Sequence, residues 1–238
     1  MSDAPTIIQA VRAGDVPLVR RLLSVDPRLV HATGDYGKTP LHWAAEDDRD
    51  DIAALLLGAG ADIEAATSWG ATPLEWAATM GSSKVADVLL ARGAHGLDLV
   101  SAAALGMLDD VRSFLNSGAS PAARVWRGAS AEADDHWPPD SARETGDAIS
   151  LAFYGACRNG HTAVAALLLE RGADVNAKGV FGGTGLHWAA INGNTDTVAF
   201  LLAHGADATI QDTKFHANPE GWAAEGRHDE IRELLRRS

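Results

Sequence analysis

The chain of 238 residues contains one cysteine, Cys157, so no disulfide can form within it and an oxidising compartment is not required. It has no run approaching about 18 consecutive apolar residues, the length a membrane-spanning helix needs. Its start, MSDAPTIIQAVRAGD, carries Asp3 and Asp15 and lacks the apolar stretch of a secretion signal. Basic side chains are outnumbered: 20 Lys and Arg against 32 Asp and Glu give a formal net charge of −12. That balance disfavours nucleic acid, whose binders carry a basic face. These absences predict a cytoplasmic protein with no nucleic-acid and no membrane partner. Catalytic signatures are missing too: there is no nucleophile elbow, no phosphate-binding P-loop, no HExxH and no pair of cysteines. No cofactor or metal is expected, and no catalytic residue can be assigned.

What is present is apolar material, 46% of residues, and repetition. KTPLHWAAEDDRDDIAALLLGAGADIEAATSWG, residues 38–70, is followed at once by ATPLEWAATMGSSKVADVLLARGAH. Trp43 and Trp76 lie 33 residues apart, as do Gly60 and Gly93, and later Gly172 and Gly205; Trp188 and Trp222 lie 34 apart. A fixed period of this size marks a solenoid of stacked units. Thr39 and Thr72 are placed to cap helices whose first turn holds Pro40 and Pro73, where a missing N–H costs nothing. The runs IAALLLGAG, VADVLLARG and VAALLLERG read as second helices with an apolar stripe, each ended by glycine. One such pair cannot bury its own apolar face, so neighbours must stack.

With TPLHWA at 39–44, TPLEWA at 72–77 and TGLHWA at 184–189, the chain resembles the ankyrin-repeat family. The resemblance implies an all-α solenoid of about seven stacked helix pairs forming a single domain. The units fall at about 4–34, 35–67, 68–96, 97–120, 147–178, 179–211 and 212–238. It also implies that His42 and His187 bond the neighbouring finger, the turn that joins one unit to the next. The two histidines are several units apart and cannot share a metal.

Two irregularities break the period. Gly93 to Gly118 is only 25 residues, so the finger between the third and fourth units is shortened. An insertion of about 121–146 separates the fourth and fifth units, and long insertions in repeat arrays map to functional or disordered loops. It contains Trp126, Trp137 and the cluster DDHW at 134–137, the best local candidate for acid–base chemistry. The fifth unit reads LAFYGAC, with Tyr154 in the histidine slot and Gly155 in the tryptophan slot. The missing indole leaves a space that Trp126, Trp137 or a ligand could fill.

The candidate binding residues follow. The slot tryptophans, Trp76 and Trp188 among them, read either as packing or as an aromatic ladder along the groove. Trp69 and Phe181 lie on fingers, where Trp69 is expected at an exposed tip. Glu46 and Asp47 begin a row of variable inner-helix ends continued by Met80, Leu105, Arg158 and Asn192. Glu46 and Asp47 read either as solvated charge or as an attractive mouth. Two functions remain open. One is a scaffold holding another protein through its concave groove and finger tips. The other is a small-molecule-binding protein or unusual enzyme, with an aromatic pocket over units four to six, roofed by the 121–147 insertion and lined by Trp76, Met80, Leu105, Trp137, Tyr154, Arg158, Trp188 and Asn192.

Overall fold

A TPLHWAA stretch is built to begin a helix, and in the computed structural model, which describes residues 6–117 and 148–238, it does so each time. Thr72 keeps extended backbone while its Oγ1 accepts the Glu75 N–H at 3.3 Å. Glu75 Oε2 in turn accepts the Thr72 N–H at 2.8 Å, so two donors left over at the helix start are satisfied reciprocally. Thr6 and Gln9 repeat the device.

Among the described residues there are fourteen α-helices and no strand, only an isolated bridge between Lys178 and Thr184. The helices fall into two compact units. The first, up to Leu97, holds α1 (Ile7–Arg12), α2 (Val16–Val25), α3 (Pro40–Glu46), α4 (Asp50–Gly58), α5 (Pro73–Met80) and α6 (Ser83–Ala91). The odd-numbered helices pack as an inner row and the even-numbered ones as an outer row. The second unit holds α7 (Leu99–Ala104), α8 (Leu108–Asn116), α9 (Ala148–Arg158), α10 (Thr162–Glu170), α11 (Gly185–Ile191), α12 (Thr195–Ala203), α13 (Pro219–Glu225) and α14 (Asp229–Arg236). Its rows alternate in the same way.

Between the rows the core is largely aliphatic. Leu41, Ile52, Leu56, Leu74 and Leu89 are fully buried in the first unit, and Phe153, Leu168, Leu186 and Leu201 in the second. Ala44, Ala45, Ala77 and Ala189 are small enough to let successive inner helices meet. Gly155 carries this furthest. A Cβ built on it would stand 3.1 Å from the Cβ of Ala104, so α9 lies directly against α7. The missing indole therefore leaves no space, contrary to expectation: closer helix approach has taken it up.

A second lock recurs on the outer row. The residue that precedes four of the outer helices, α4, α10, α12 and α14, covers the left-handed turn of the preceding pair: Arg49 over Gly14, His161 over Gly106, Asn194 over Gly160 and His228 over Gly193. Asn194 Nδ2 donates to Arg158 O at 3.0 Å, and His228 Nε2 lies 3.0 Å from Ile191 O. Gly160 (φ +80°) meets two demands at once, since a Cβ would both strain the backbone and come 2.8 Å from Asn194 Oδ1.

The fingers also bond one another. The Ser68 N–H donates to Tyr36 O at 2.8 Å, and the Thr213 N–H donates to Phe181 O at 2.7 Å. Tyr36 and Phe181 both sit at φ +58°, a costly region for an aromatic residue. In that conformation each carbonyl meets the next finger. Trp69 holds the same place in its finger but is followed only by the short connection 92–98, and it keeps ordinary backbone.

Leu41→Ala and Leu186→Ala should each cost about 2–5 kcal/mol, as truncations of fully buried leucines do. Gly160→Ala should cost about 1–3 kcal/mol, whereas Asp47→Ala, on an exposed position, should stay within about 0.5 kcal/mol. Urea midpoints check the order; equal effects would mean the repeat register is misplaced.

Candidate functional site

The inner helices and fingers are joined through a buried imidazole. His42 is the third residue of α3, and its Nδ1 accepts the Thr39 N–H at 3.2 Å, with Thr39 Oγ1 at 2.9 Å. Its Nε2 lies 3.0 Å from Ala71 O in the next finger. His187 repeats the bridge between Thr184 N–H (3.0 Å) and Ala217 O (3.2 Å). An acceptor at Nδ1 and a donor at Nε2 define one neutral tautomer. Burial pushes the His42 pKa down from 6.5 to about 4, against the opposing pull of Ala71 O. Burial lowers that of His187 as well.

The first unit also holds a stack of rings and cations. Arg12 lies over Trp43 at 4.6 Å, and the Lys38 ammonium stands 4.2 Å from the ring centres of both Trp43 and Trp76. Glu46 Oε2 accepts from Lys38 Nζ at 2.6 Å and from the Trp76 indole N–H at 3.2 Å. Trp76 then stacks on Trp69, and Trp69 on Tyr36 at 4.6 Å. The Trp43 Nε1–H has no acceptor among the described residues, so cations and apolar neighbours hold that ring.

The second unit has a row of the same kind. Arg158 lies over Trp188 at 4.6 Å, with Tyr154 edge-on to the same indole. Trp188 meets Trp222 at 5.1 Å, Trp222 meets Phe215, and Phe215 meets Phe181 at 6.0 Å. The Trp222 indole donates to Asp212 Oδ2 at 2.9 Å. Asp212 also accepts from the N–H groups of Lys214, Phe215 and Ala217. Burial opposes its ionisation, but these four donors outweigh it and hold the carboxyl below its usual range.

The structure redistributes the residues singled out from sequence. Tyr154, Arg158, Trp188 and Asn192 come together, with Asn192 Nδ2 donating to Arg158 O at 2.9 Å. Phe181 joins them through Phe215 and Trp222. Asp47 is exposed and Met80 half-buried, as inner-helix ends should be. Three expectations need correction. Trp69 is no exposed tip: it is 4% exposed, because Tyr36 of the preceding finger covers its face. Leu105 is 5% exposed, lying at the end of α7 where α9 approaches closely. Glu46 is more than a solvated charge, since its partly exposed carboxylate is engaged by Lys38 and Trp76. Trp126, Trp137, the DDHW cluster and the insertion lie outside the described residues. Burial drives the Cys157 thiol strongly up, so it offers no nucleophile.

Sequence reasoning missed Tyr36, Lys38, Asp212 and Phe215. A signal for two of them was in reach. Tyr36, Trp69, Phe181 and Phe215 each stand three residues before a helix cap, at Thr39, Thr72, Thr184 and Asn218.

The family model described as Ankyrin repeats (3 copies) matches residues 7–101 and 150–238, most of the chain. The chain belongs to the ankyrin-repeat family. Ankyrin repeats are generally protein-interaction modules. A curated relative, Palmitoyltransferase akr1 of Aspergillus oryzae, is 37% identical over 59 residues. That stretch is 25% of this chain and 8% of the relative, so the likeness covers only a small part of that protein. No helix among the described residues is long and apolar enough to cross a membrane.

Two expectations follow for these ankyrin repeats. With a folded pKa of about 4 against 6.5 unfolded, the unfolded chain takes up the His42 proton first as pH falls. The contribution is complete above pH 6.5 and is lost toward pH 4, at most about 3 kcal/mol. His42→Gln, which keeps the capping box as Gln9 does, should flatten the stability slope between pH 6.5 and 5 in denaturant titrations. Glu46→Ala should cost about 1–3 kcal/mol, because it removes the carboxylate that neutralises the Lys38 ammonium and accepts from the Trp76 indole. Lys38→Met with Glu46→Ala together should cost less than the two singly measured losses added.

Proposed function

We propose that this ankyrin-repeat protein is a cytoplasmic scaffold that holds another protein against its inner-helix groove and finger tips, with no chemistry of its own. The observation that carries this reading is the division of labour among its aromatic residues. Trp43, Trp69, Trp76 and Trp222 are spent on internal packing. Among the described residues, a set of varied side chains reaches solvent on helices and fingers tied by the His42 and His187 bridges within each unit: Asp47, Asn192, Tyr36 and Phe215. Rigid presentation of variable side chains suits recognition, since little freedom is lost on binding.

The alternative, a small-molecule site or unusual enzyme, is less well supported. Trp76, Leu105 and Tyr154, three of its expected lining residues, are buried in packing.

A photo-crosslinking amino acid at Asp47, Met80 or Asn192 should give discrete protein adducts in the native host. The same probe at Lys84 or Asp87, exposed on outer helix α6, should give few. Equal labelling of both faces, or none from the inner one, would contradict the scaffold reading.

A further inference from the structure

The interaction reading leaves the partner's chemistry open, and one surface narrows it. Phe181 and Phe215 stand edge to face on the fingers 177–183 and 210–217 of the second unit. Phe215 is 59% exposed. A single exposed aromatic residue is ordinary, but this one sits in a built tip. Lys214 Nζ lies 4.6 Å from the Phe181 ring centre and 5.5 Å from that of Phe215, so an ammonium is held across both rings. The Thr213 N–H and Oγ1 both donate to Phe181 O, tying the two fingers together.

Asp212 sets the charge of this tip as well as its shape. Its carboxylate is turned inward, 2% exposed, and accepts from the Trp222 indole and from three backbone N–H groups that include those of Lys214 and Phe215. The one acid of the two fingers is thereby withdrawn from the surface. Their exposed ionised side chains are Lys178 and Lys214, both positive, with His216 exposed beside them. The whole chain has four lysines and a net charge of −12, yet two of those lysines stand here. Local charge thus opposes the sign of the protein, around an apolar centre already fixed in place.

We propose that these finger tips dock an acidic peptide segment carrying an apolar side chain. This rests on the scaffold reading above and names the partner class for one of its surfaces. The apolar side chain lies against Phe215 and Phe181, and flanking carboxylates meet Lys214 and Lys178. An acidic partner is repelled by the rest of a −12 protein, so binding depends on close contact with this patch. Asp212 acts here as a positioning residue: it holds the loop that presents Lys214 and Phe215.

The test is selection of random displayed peptides on the 238-residue chain, followed by affinity measurement with the selected consensus peptide. The selected peptides should place Asp or Glu around Phe, Leu or Trp. Lys214→Glu and Phe215→Ser should each weaken that peptide by about tenfold or more. Lys178→Glu should weaken it several-fold, and Lys84→Glu, on α6, should leave it unchanged. The lysine changes are on exposed positions, so they keep the test valid even if Phe215→Ser disturbs folding. Neutral or basic consensus peptides, or acidic ones held equally by both finger variants, would overturn the assignment while leaving the scaffold reading intact. Phosphatidylserine vesicles that bind the protein and are released by the same variants would overturn it in favour of a membrane surface. Recovery of no peptide, together with no inner-face cross-link, would overturn both.

Discussion

An imidazole can serve a helix start and a neighbouring carbonyl at once only while it is neutral. His42 and His187 do this between Thr39 or Thr184 and the carbonyls of Ala71 or Ala217. Much else depends on that geometry. It fixes the height of the fingers that follow α3 and α11, and so fixes where Trp69 and Phe215 can reach. Glu75 keeps the capping half of the job but cannot donate to the next finger, and the connection after it is the short one, 92–98. A bridge of this kind matters where a finger stands opposite it to be held.

The cations and carboxylates then settle what the tryptophans do. Of the four indoles in one repeat slot, Trp43, Trp76 and Trp222 are buried among their own neighbours and Trp188 is half-buried. Lys38 is held between Trp43 and Trp76 and neutralised by Glu46, and Asp212 takes the Trp222 N–H. A cation between ring faces gains more as water is excluded, and a carboxylate gains from indole and backbone donors. The polar groups that sequence composition would place on the surface are therefore partly inside. Exposure is left to residues the packing does not need.

The all-α repeat fold was legible because TPLHWAA states a cap, a helix start, a packing leucine and a bridge in seven letters. The burial of Leu41 and Leu186 and the roles of His42 and His187 follow from it. What was not legible depends on distances between repeats. Gly155 reads as a gap in sequence, but α9 moves onto α7 and closes it. Trp69 reads as a tip until Tyr36, 33 residues earlier, is seen to lie across it. Glu46 reads as part of an acidic run because its partners, Lys38 and Trp76, are 8 and 30 residues away. Register identifies equivalent positions, but it does not reveal which equivalents touch.

The central claim is that each bridging histidine is a neutral, permanently engaged link rather than a surface base. The most direct measurement is a pH titration of the imidazole nitrogens of His42 by nitrogen-detected or long-range proton–nitrogen NMR. The account predicts a single tautomer with the proton on Nε2, unchanged through pH 6.5 and protonated only near pH 4 or on unfolding. A mixed tautomer, or a reversible titration near 6.5 in the folded protein, would contradict it.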